Sequence, residues 1–304
     1  MPLFRRRRGG DVPPRPEWAT FFSDTEWASF VDDVLRAAGG EARVDEHGTL
    51  TVAGTEAQFG LANLAQKCNA APRGQWAEVV EDHFHQLLAS QARDTRVLTF
   101  EEAAPLLRLR VWARDDVPDG ADVVEYDLAD DLVVVLSLDL PESVATVAPD
   151  QLDAWGKDEM ELFRLAGDQT RDDPLLEVAK IEVGGVDVVY AVGDDSYFAA
   201  SQILWPTRLL GDAFDPHGAL VGAPNRHLAV LVPIPGMAIV DAIPPVAMLL
   251  AQRYADGPGS ISPHLYWVRD GESMLRIPLE VSAEGANVHA PDEFVGLLNR
   301  LAEA

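Results

Sequence analysis

The stretch "AKIEVGGVDVVYAVGDD", Ala179–Asp195, indicates the class of fold more directly than any other. Two strand-like apolar segments flank the pair Gly184-Gly185. Two glycines between such segments are typical of a tight β-hairpin, because a two-residue turn needs positive φ angles that glycine adopts at little cost. The stretch therefore predicts two neighbouring antiparallel strands.

Further hairpins and helices alternate irregularly along the rest of the chain. "LVVVLSLDL", residues 132–140, predicts a strand covered on both faces, and "HLYWVRDGESMLRIPLEV", residues 264–281, predicts a hairpin about Asp270-Gly271. The patterns Ser23-x-x-Glu26 and Thr99-x-x-Glu102 predict capped helix starts. Because no regular β-α-β alternation is present, we expect an α+β fold with mixed, largely antiparallel sheets and packed helices.

The order of these elements predicts two or three subdomains. A disordered basic tail and linker is expected over 1–19, followed by an N-terminal α+β subdomain over 20–96. A middle α+β subdomain is expected over 97–175 and a C-terminal one over 176–304.

The charge balance restricts the classes of partner. Acidic residues number 50 and basic residues 24, which gives a net charge of −26. Such a surface repels nucleic acid and anionic membranes and favours a protein partner with a basic surface. Only the arginine run Arg5, Arg6, Arg7 and Arg8 departs from this rule. It is either a disordered tail or a weak contact to a membrane or an acidic partner.

Cysteine content and hydropathy bear on the compartment. Cys68 is the single cysteine, so the chain cannot form an internal disulfide, and we expect a reducing cytoplasm. No stretch approaches the ~18 uninterrupted apolar residues of a transmembrane helix. We therefore expect a cytoplasmic protein without a transmembrane segment.

The segment "YAVGDDSYFAASQILWP", Tyr190–Pro206, is the best candidate for a site. It predicts a strand, a polar turn and a helix that Pro206 ends, with Asp194, Asp195 or Ser196 capping the helix. The same turn can form the rim of a binding groove, together with polar residues that precede a later apolar strand. The predicted groove residues are Asp194, Asp195, Tyr197, Phe198, Ser201, Asn225, Arg226 and His227.

Two functional interpretations remain open at this point. No nucleophile elbow, Walker loop, HExxH or GxGxxG motif occurs, which favours a non-enzymatic protein-interaction or regulatory module without cofactor or metal. The aromatic pairs Tyr197-Phe198 and Tyr266-Trp267 would serve as interface anchors if they are exposed. The alternative is a metal-dependent hydrolase, whose ligands would come from Asp194, Asp195, Asp212, Asp215, His217 and His227.

Three separated segments resemble a known family. They are "FGLANLAQKCNAAPRGQWAEVVEDHFHQLL" (59–88), "LVVVLSLDLPESVATVAPDQLDAWGKDEMELFRLA" (132–166), and "GDDSYFAASQILWP" (193–206) with "HGALVGAPNRHLAVLVPI" (217–234). In order and spacing they resemble the YtpQ-like family, domain of unknown function 1444, over residues ~20–290. The resemblance implies a bacterial, cytosolic protein with a mixed fold and implies no reaction. The family has "RD" where this chain has Arg226-His227, so no role for an acid at position 227 carries over.

Overall fold

The computed structural model describes most of the chain. The described residues are 12–39, 42–52, 58–91, 98–117, 123–141, 143–193, 196–214, 216–269, 274–282 and 285–303. By contacts the chain divides into two compact units, Met1–Arg93 and Asp94–Ala304. The predicted segments 97–175 and 176–304 thus lie together in the second unit.

The first unit packs three helices with a small antiparallel sheet. Its elements are α1 (Asp24–Ala38), β1 (Ala42–Val44), β2 (Thr49–Val52), β3 (Gln58–Gly60), α2 (Ala62–Ala70) and α3 (Trp76–Gln91). The capping box at the start of α1 is confirmed, because Ser23 Oγ accepts from the N–H of Glu26 and Glu26 Oε2 accepts from the N–H of Ser23. Trp27, Phe30 and Leu50 are fully buried in its core, as is Cys68.

The second unit begins with a sheet whose described strands run in the order β4-β6-β5, with β7 also paired to β6. The elements are α4 (Phe100–Ala103), β4 (Leu107–Ala113), β5 (Glu125–Ala129), β6 (Leu132–Leu140), β7 (Ser143–Thr146), α5 (Pro149–Trp155) and α6 (Glu159–Arg171). The capping box at Thr99 is confirmed. All of β6 except Asp139 is buried, so the prediction of a strand covered on both faces is confirmed.

Strand β4 lies at an edge of this sheet, where its outward-facing N–H groups would be unpaired. Two hydroxyl groups satisfy them: Thr170 Oγ1 accepts from the N–H of Leu109 at 2.8 Å, and Ser201 Oγ accepts from that of Val111 at 3.1 Å. Both hydroxyls are buried. Ser201 therefore holds the edge of this sheet to the segment that follows the hairpin at Gly184-Gly185.

A larger antiparallel sheet completes the unit, and its order in the described residues is β13-β12-β10-β11-β9-β8. The elements are β8 (Glu177–Val183), β9 (Val186–Val192), α7 (Pro206–Leu210), β10 (Ala219–Asn225), β11 (Leu228–Pro233), α8 (Ile239–Asp256), β12 (Leu265–Val268), β13 (Leu275–Ile277), β14 (Leu279–Ser282), β15 (Gly285–Val288) and α9 (Asp292–Glu303). Helix α8 packs on one face of this larger sheet. The 3-10 helix Ala199–Leu204 packs on the other face, where it also meets β4 and β6 of the first sheet. The α+β prediction is confirmed.

The hairpin predicted at Gly184-Gly185 is present. Val183 pairs with Val186 across the two glycines, whose φ angles are +59° and +79°. A Cβ on Gly184 would lie 2.7 Å from the backbone nitrogen of Ala242, so this position lacks space as well as requiring a positive φ. The second predicted hairpin is also confirmed by the pairing of β12 with β13, while Asp270 and Gly271 lie outside the described residues.

The helix predicted to end at Pro206 is different in the structure. The residues before it form the 3-10 helix Ala199–Leu204, and Pro206 is the first residue of α7. Proline suits that position because it lacks an N–H that would have no partner in the first turn and its φ is already helical. Pro206 therefore starts a helix instead of ending one.

Candidate functional site

Asn225 determines the shape of the turn between β10 and β11. Its Oδ1 accepts from the N–H of His227 at 3.0 Å, and its Nδ2 donates to the carbonyl of Arg253, near the end of α8, at 2.9 Å. Asparagine favours such turns because its short side chain reaches the backbone two residues later. The turn residues Arg226 and His227 are thereby held beside the end of α8.

His227 links this turn to the segment after β9. Its Nδ1 lies 2.9 Å from the carbonyl oxygen of Gly193 and 3.0 Å from that of Ser196, and its Nε2 accepts from Nε of Arg226 at 2.9 Å. Arginine can only donate, so Nε2 carries no proton and Nδ1 carries it. The imidazole is therefore neutral in this arrangement and orients the Arg226 side chain.

Arg226 lies between an aromatic ring and a glycine. Its guanidinium carbon is 4.4 Å from the centroid of the Tyr197 ring, and a Cβ on Gly259 would lie 2.7 Å from Arg226 Cδ. Burial lowers the pKa of Arg226, and Tyr197 acts in the opposite direction. Nε is the one side-chain nitrogen of Arg226 that donates to another group within the described residues, so in that part of the chain its terminal N–H groups have no acceptor.

Arg110, in the middle of β4, is a second arginine in the same electrostatic environment. Its Nε is buried and has no hydrogen-bond partner in the described part of the chain, and its guanidinium carbon is 4.8 Å from the centroid of the Trp112 ring. Burial, and after it the positive charge of Arg226, lowers the pKa of Arg110 to about 10. Asp116 and Tyr197 act in the opposite direction. We call Arg110, Tyr197, Arg226 and His227 the arginine–tyrosine cluster.

Asp116 is a carboxylate that acts on Arg110. Burial raises the pKa of Asp116, and the attraction of Arg110 offsets only part of that rise. Over the ranges that the structure describes, neither Arg110 nor Arg226 forms a salt bridge with a carboxylate, although the partly exposed Arg114, Arg171 and Arg269 do. Two neighbouring guanidinium groups that form no salt bridge among the described residues create an electrostatic environment that favours a bound anion.

The structure brings together some of the predicted groove residues and buries others. Tyr197, Arg226 and His227 are in mutual contact and partly accessible. Phe198, Ser201 and Asn225 are at most 5% exposed and act as packing or hydrogen-bonding residues. Asp194 and Asp195 lie outside the described residues.

The predicted roles of Ser196 and of the aromatic pairs need correction. Ser196 Oγ donates to Asp173 Oδ2 at 2.6 Å and accepts from the N–H of Phe198 at 3.1 Å, while the N-cap of the following 3-10 helix is Phe198. Ser196 therefore closes a local turn and caps no helix. Tyr266 and Trp267 are buried within the sheet core, so neither can anchor a partner.

Sequence reasoning missed Arg110. The segment "LLRLRVW" predicts an alternating strand, and β4 has that alternation, with apolar residues on the buried face. Arginines on the other face of a strand in so acidic a chain were a signal, but nothing in the local pattern relates position 110 to position 226. The sheet packing alone reveals that relation.

The ligands required by the hydrolase interpretation are only partly described, and two of them are far apart. His217 precedes β10 and His227 follows it, so the length of this strand, about 20 Å, separates them. Asp212 is exposed in a 3-10 helix, and Asp215 is not described. Among the residues that the structure does describe, no group of three or more His, Cys, Asp or Glu side chains is arranged to hold a metal ion.

Comparisons with known proteins add no assignment. No protein-family profile, curated protein or solved structure gives a significant match to this chain. Of the helices described above, none combines the length and the apolar character that crossing a lipid bilayer requires.

Proposed function

We propose that this protein is a non-enzymatic binding or regulatory module whose ligand carries an oxyanion held by Arg110 and Arg226. The observation that carries the proposal is a pair of partly buried guanidinium groups, of which Arg226 lowers the pKa of Arg110, and neither of which forms a salt bridge among the described residues. In a chain of net charge −26, carboxylates are abundant elsewhere. Among the described residues no carboxylate forms a salt bridge with either guanidinium, and Asp116 acts on Arg110 only at longer range, which leaves donors that can bind an external anion.

Phosphate and carboxylate groups fit the chemistry of the arginine–tyrosine cluster. A guanidinium group offers parallel N–H donors that match two oxygens of either anion, and such charge-assisted bonds are stronger in a partly buried site. The hydrogen bond from Arg226 Nε to His227 and the stacking on Tyr197 hold one guanidinium in place before a ligand arrives. Less conformational entropy is then lost on binding.

Titration with inorganic phosphate, followed by calorimetry and by thermal unfolding, tests the proposal. We expect saturable binding, and a loss of about tenfold to one hundredfold in affinity in Arg110→Gln and in Arg226→Gln, because each removes charge-assisted hydrogen bonds. Arg164→Gln is the matched control, since Arg164 is an exposed arginine on α6 and the change of charge is the same. Equal binding by all four proteins would contradict the proposal.

A second variant distinguishes two cases: the arginines are available to an external anion, or carboxylates of the chain itself neutralise their charge. Asp194 and Asp195 immediately precede Ser196, whose carbonyl contacts His227. If the wild-type protein ignores phosphate while the double variant Asp194→Asn, Asp195→Asn binds it, the two carboxylates are the counterions and the proposal is wrong. Binding by the wild-type protein that strengthens in the double variant supports it.

The remaining sequence-based expectations belong to the same proposal. A protein partner with a basic surface is supported by the net charge, and a cytoplasmic location by the single cysteine. Membership of the YtpQ-like family is supported by the three segments quoted above. Affinity capture from the host's own lysate, compared between the wild-type protein and Arg226→Gln, tests whether the partner uses the arginine–tyrosine cluster.

A further inference from the structure

Strand β8 is the outer strand of the larger sheet, and within the described residues it pairs only with β9. Six of its seven residues are exposed, among them Val178 and Ile181 at 54% and 55%. It contains no proline and pairs with β9 without a register shift. Exposed, regular edge strands with apolar side chains tend to pair with another strand.

The hairpin turn determines which backbone groups of β8 face outward. Val183 and Val186 flank a two-residue turn and therefore form a hydrogen-bonded pair. Hydrogen-bonded and non-hydrogen-bonded pairs alternate in an antiparallel ladder, so the odd-numbered residues of β8 bond to β9. The N–H and C=O groups of Val178, Lys180 and Glu182 face outward.

This alternation limits how a second copy of β8 can pair with the first. In a symmetric antiparallel pair, outward-facing residues must oppose outward-facing residues. The twofold axis therefore lies midway between one residue and its own symmetry mate, and not between two successive residue pairs. We name each possible axis by that residue. An axis at Lys180 places the Lys180 side chains of the two copies opposite each other, and an axis at Glu182 does the same for the two Glu182 side chains. Like charges directly opposite destabilise a strand pair.

Only an axis at Ile181 gives complementary charges. There Lys180 of each copy lies opposite Glu182 of the other, Ile181 meets its own symmetry mate, and Ala179 lies opposite Val183. An axis at Ala179 would instead place Lys180 opposite Val178. We propose that this protein forms a homodimer in which two β8 strands pair antiparallel about Ile181, joining the two larger sheets into one.

This arrangement also covers the apolar surface beside the edge. Ala179 and Ile181 line one side of a groove of about 640 Å³, whose other lining residues include Tyr190 and Leu249. In the proposed dimer the two grooves meet at the axis, and each Ile181 shields the other from water. The dimer does not require an anion at the arginine–tyrosine cluster, although His227 of that cluster also lines the groove.

Charge exchange tests the proposed register. Sedimentation equilibrium of the full chain should show a dimer for the wild-type protein. Lys180→Glu or Glu182→Lys should weaken dimerisation about tenfold or more, because the pair formed by residues 180 and 182 occurs twice in the dimer and each substitution gives both pairs like charges. The double variant Lys180→Glu, Glu182→Lys restores opposite charges and should restore the dimer. A monomeric wild-type protein at every concentration tested overturns the proposal, as does a double variant no better than the singles.

Cysteine cross-linking distinguishes the alternative registers. Ile181→Cys should form an intermolecular disulfide on mild oxidation, since the two Cβ atoms would be about 5 Å apart. Ala179→Cys and Lys180→Cys are matched controls that should cross-link only if the axis lies at their own positions. The wild-type protein gives the baseline, because its Cys68 is buried. Preferential cross-linking at 179 or 180, or at none of the three, contradicts the Ile181 register.

Discussion

Replacing Arg110 by methionine should stabilise the protein in the absence of an anion, although most substitutions of partly buried residues destabilise. Burial, and after it repulsion by Arg226, lowers the pKa of Arg110 from the ordinary value of an arginine side chain to about 10. At 1.36 kcal/mol per pKa unit this corresponds to about 3 kcal/mol of unfavourable free energy for holding the charge in the folded state. The buried Nε without a described partner adds to that cost.

Methionine removes the charge and keeps an unbranched stem of similar length. The loss of the guanidinium contact with Trp112 and of part of the stem packing should cost about 1 kcal/mol. We therefore expect a net gain of about 1–2 kcal/mol in the free energy of unfolding. Replacing a buried ion pair by apolar residues of similar volume often stabilises a protein by about 1–4 kcal/mol, and the same desolvation cost is removed here.

Urea unfolding in a buffer without phosphate measures the effect, with hydrogen exchange of peptides from β6 reporting on the second unit. Rising phosphate should stabilise only the wild-type protein, by about 2.7 kcal/mol at one hundred times its dissociation constant, so that it overtakes the variant. A variant less stable than the wild-type protein in buffer without phosphate would refute the reasoning, because Arg110 would then be a structural residue. Arg164→Met, at an exposed position, controls for the loss of one charge.

Three further changes test other parts of the structure. Ser201→Ala should cost about 1–3 kcal/mol by leaving the N–H of Val111 buried and unpaired, as measured by urea unfolding; a loss below 0.5 kcal/mol would contradict that role. Gly184→Ala should destabilise more than Gly185→Ala in the same assay, because both glycines have positive φ but only Gly184 lacks space for a Cβ, and equal losses would contradict the close contact. Burial lowers the pKa of His264, so the unfolded chain binds the extra proton first and stability should decline as pH falls below 6.5; His264→Asn should flatten that decline.

Local sequence determined the elements whose physical cause lies within a few residues. Gly184-Gly185 supplies both positive φ angles of a hairpin turn, and Ser23 and Thr99 each meet a glutamate three residues later. The apolar run of β6 required burial on both faces, and the structure provides it. These features followed from backbone stereochemistry and hydrophobic burial, which depend little on the rest of the chain.

Only the tertiary structure decided which polar and aromatic side chains meet and which are buried. Sequence placed Tyr197 and Arg226 in one groove, but it could not show that Phe198, Tyr266 and Trp267 are buried, because an aromatic side chain has the same local pattern in a core and at an interface. Arg110 joined Arg226 through the packing of two sheets, and the energy that relates them depends on distance and burial. The distance between the two side chains and their burial cannot be predicted from the spacing of residues along the chain.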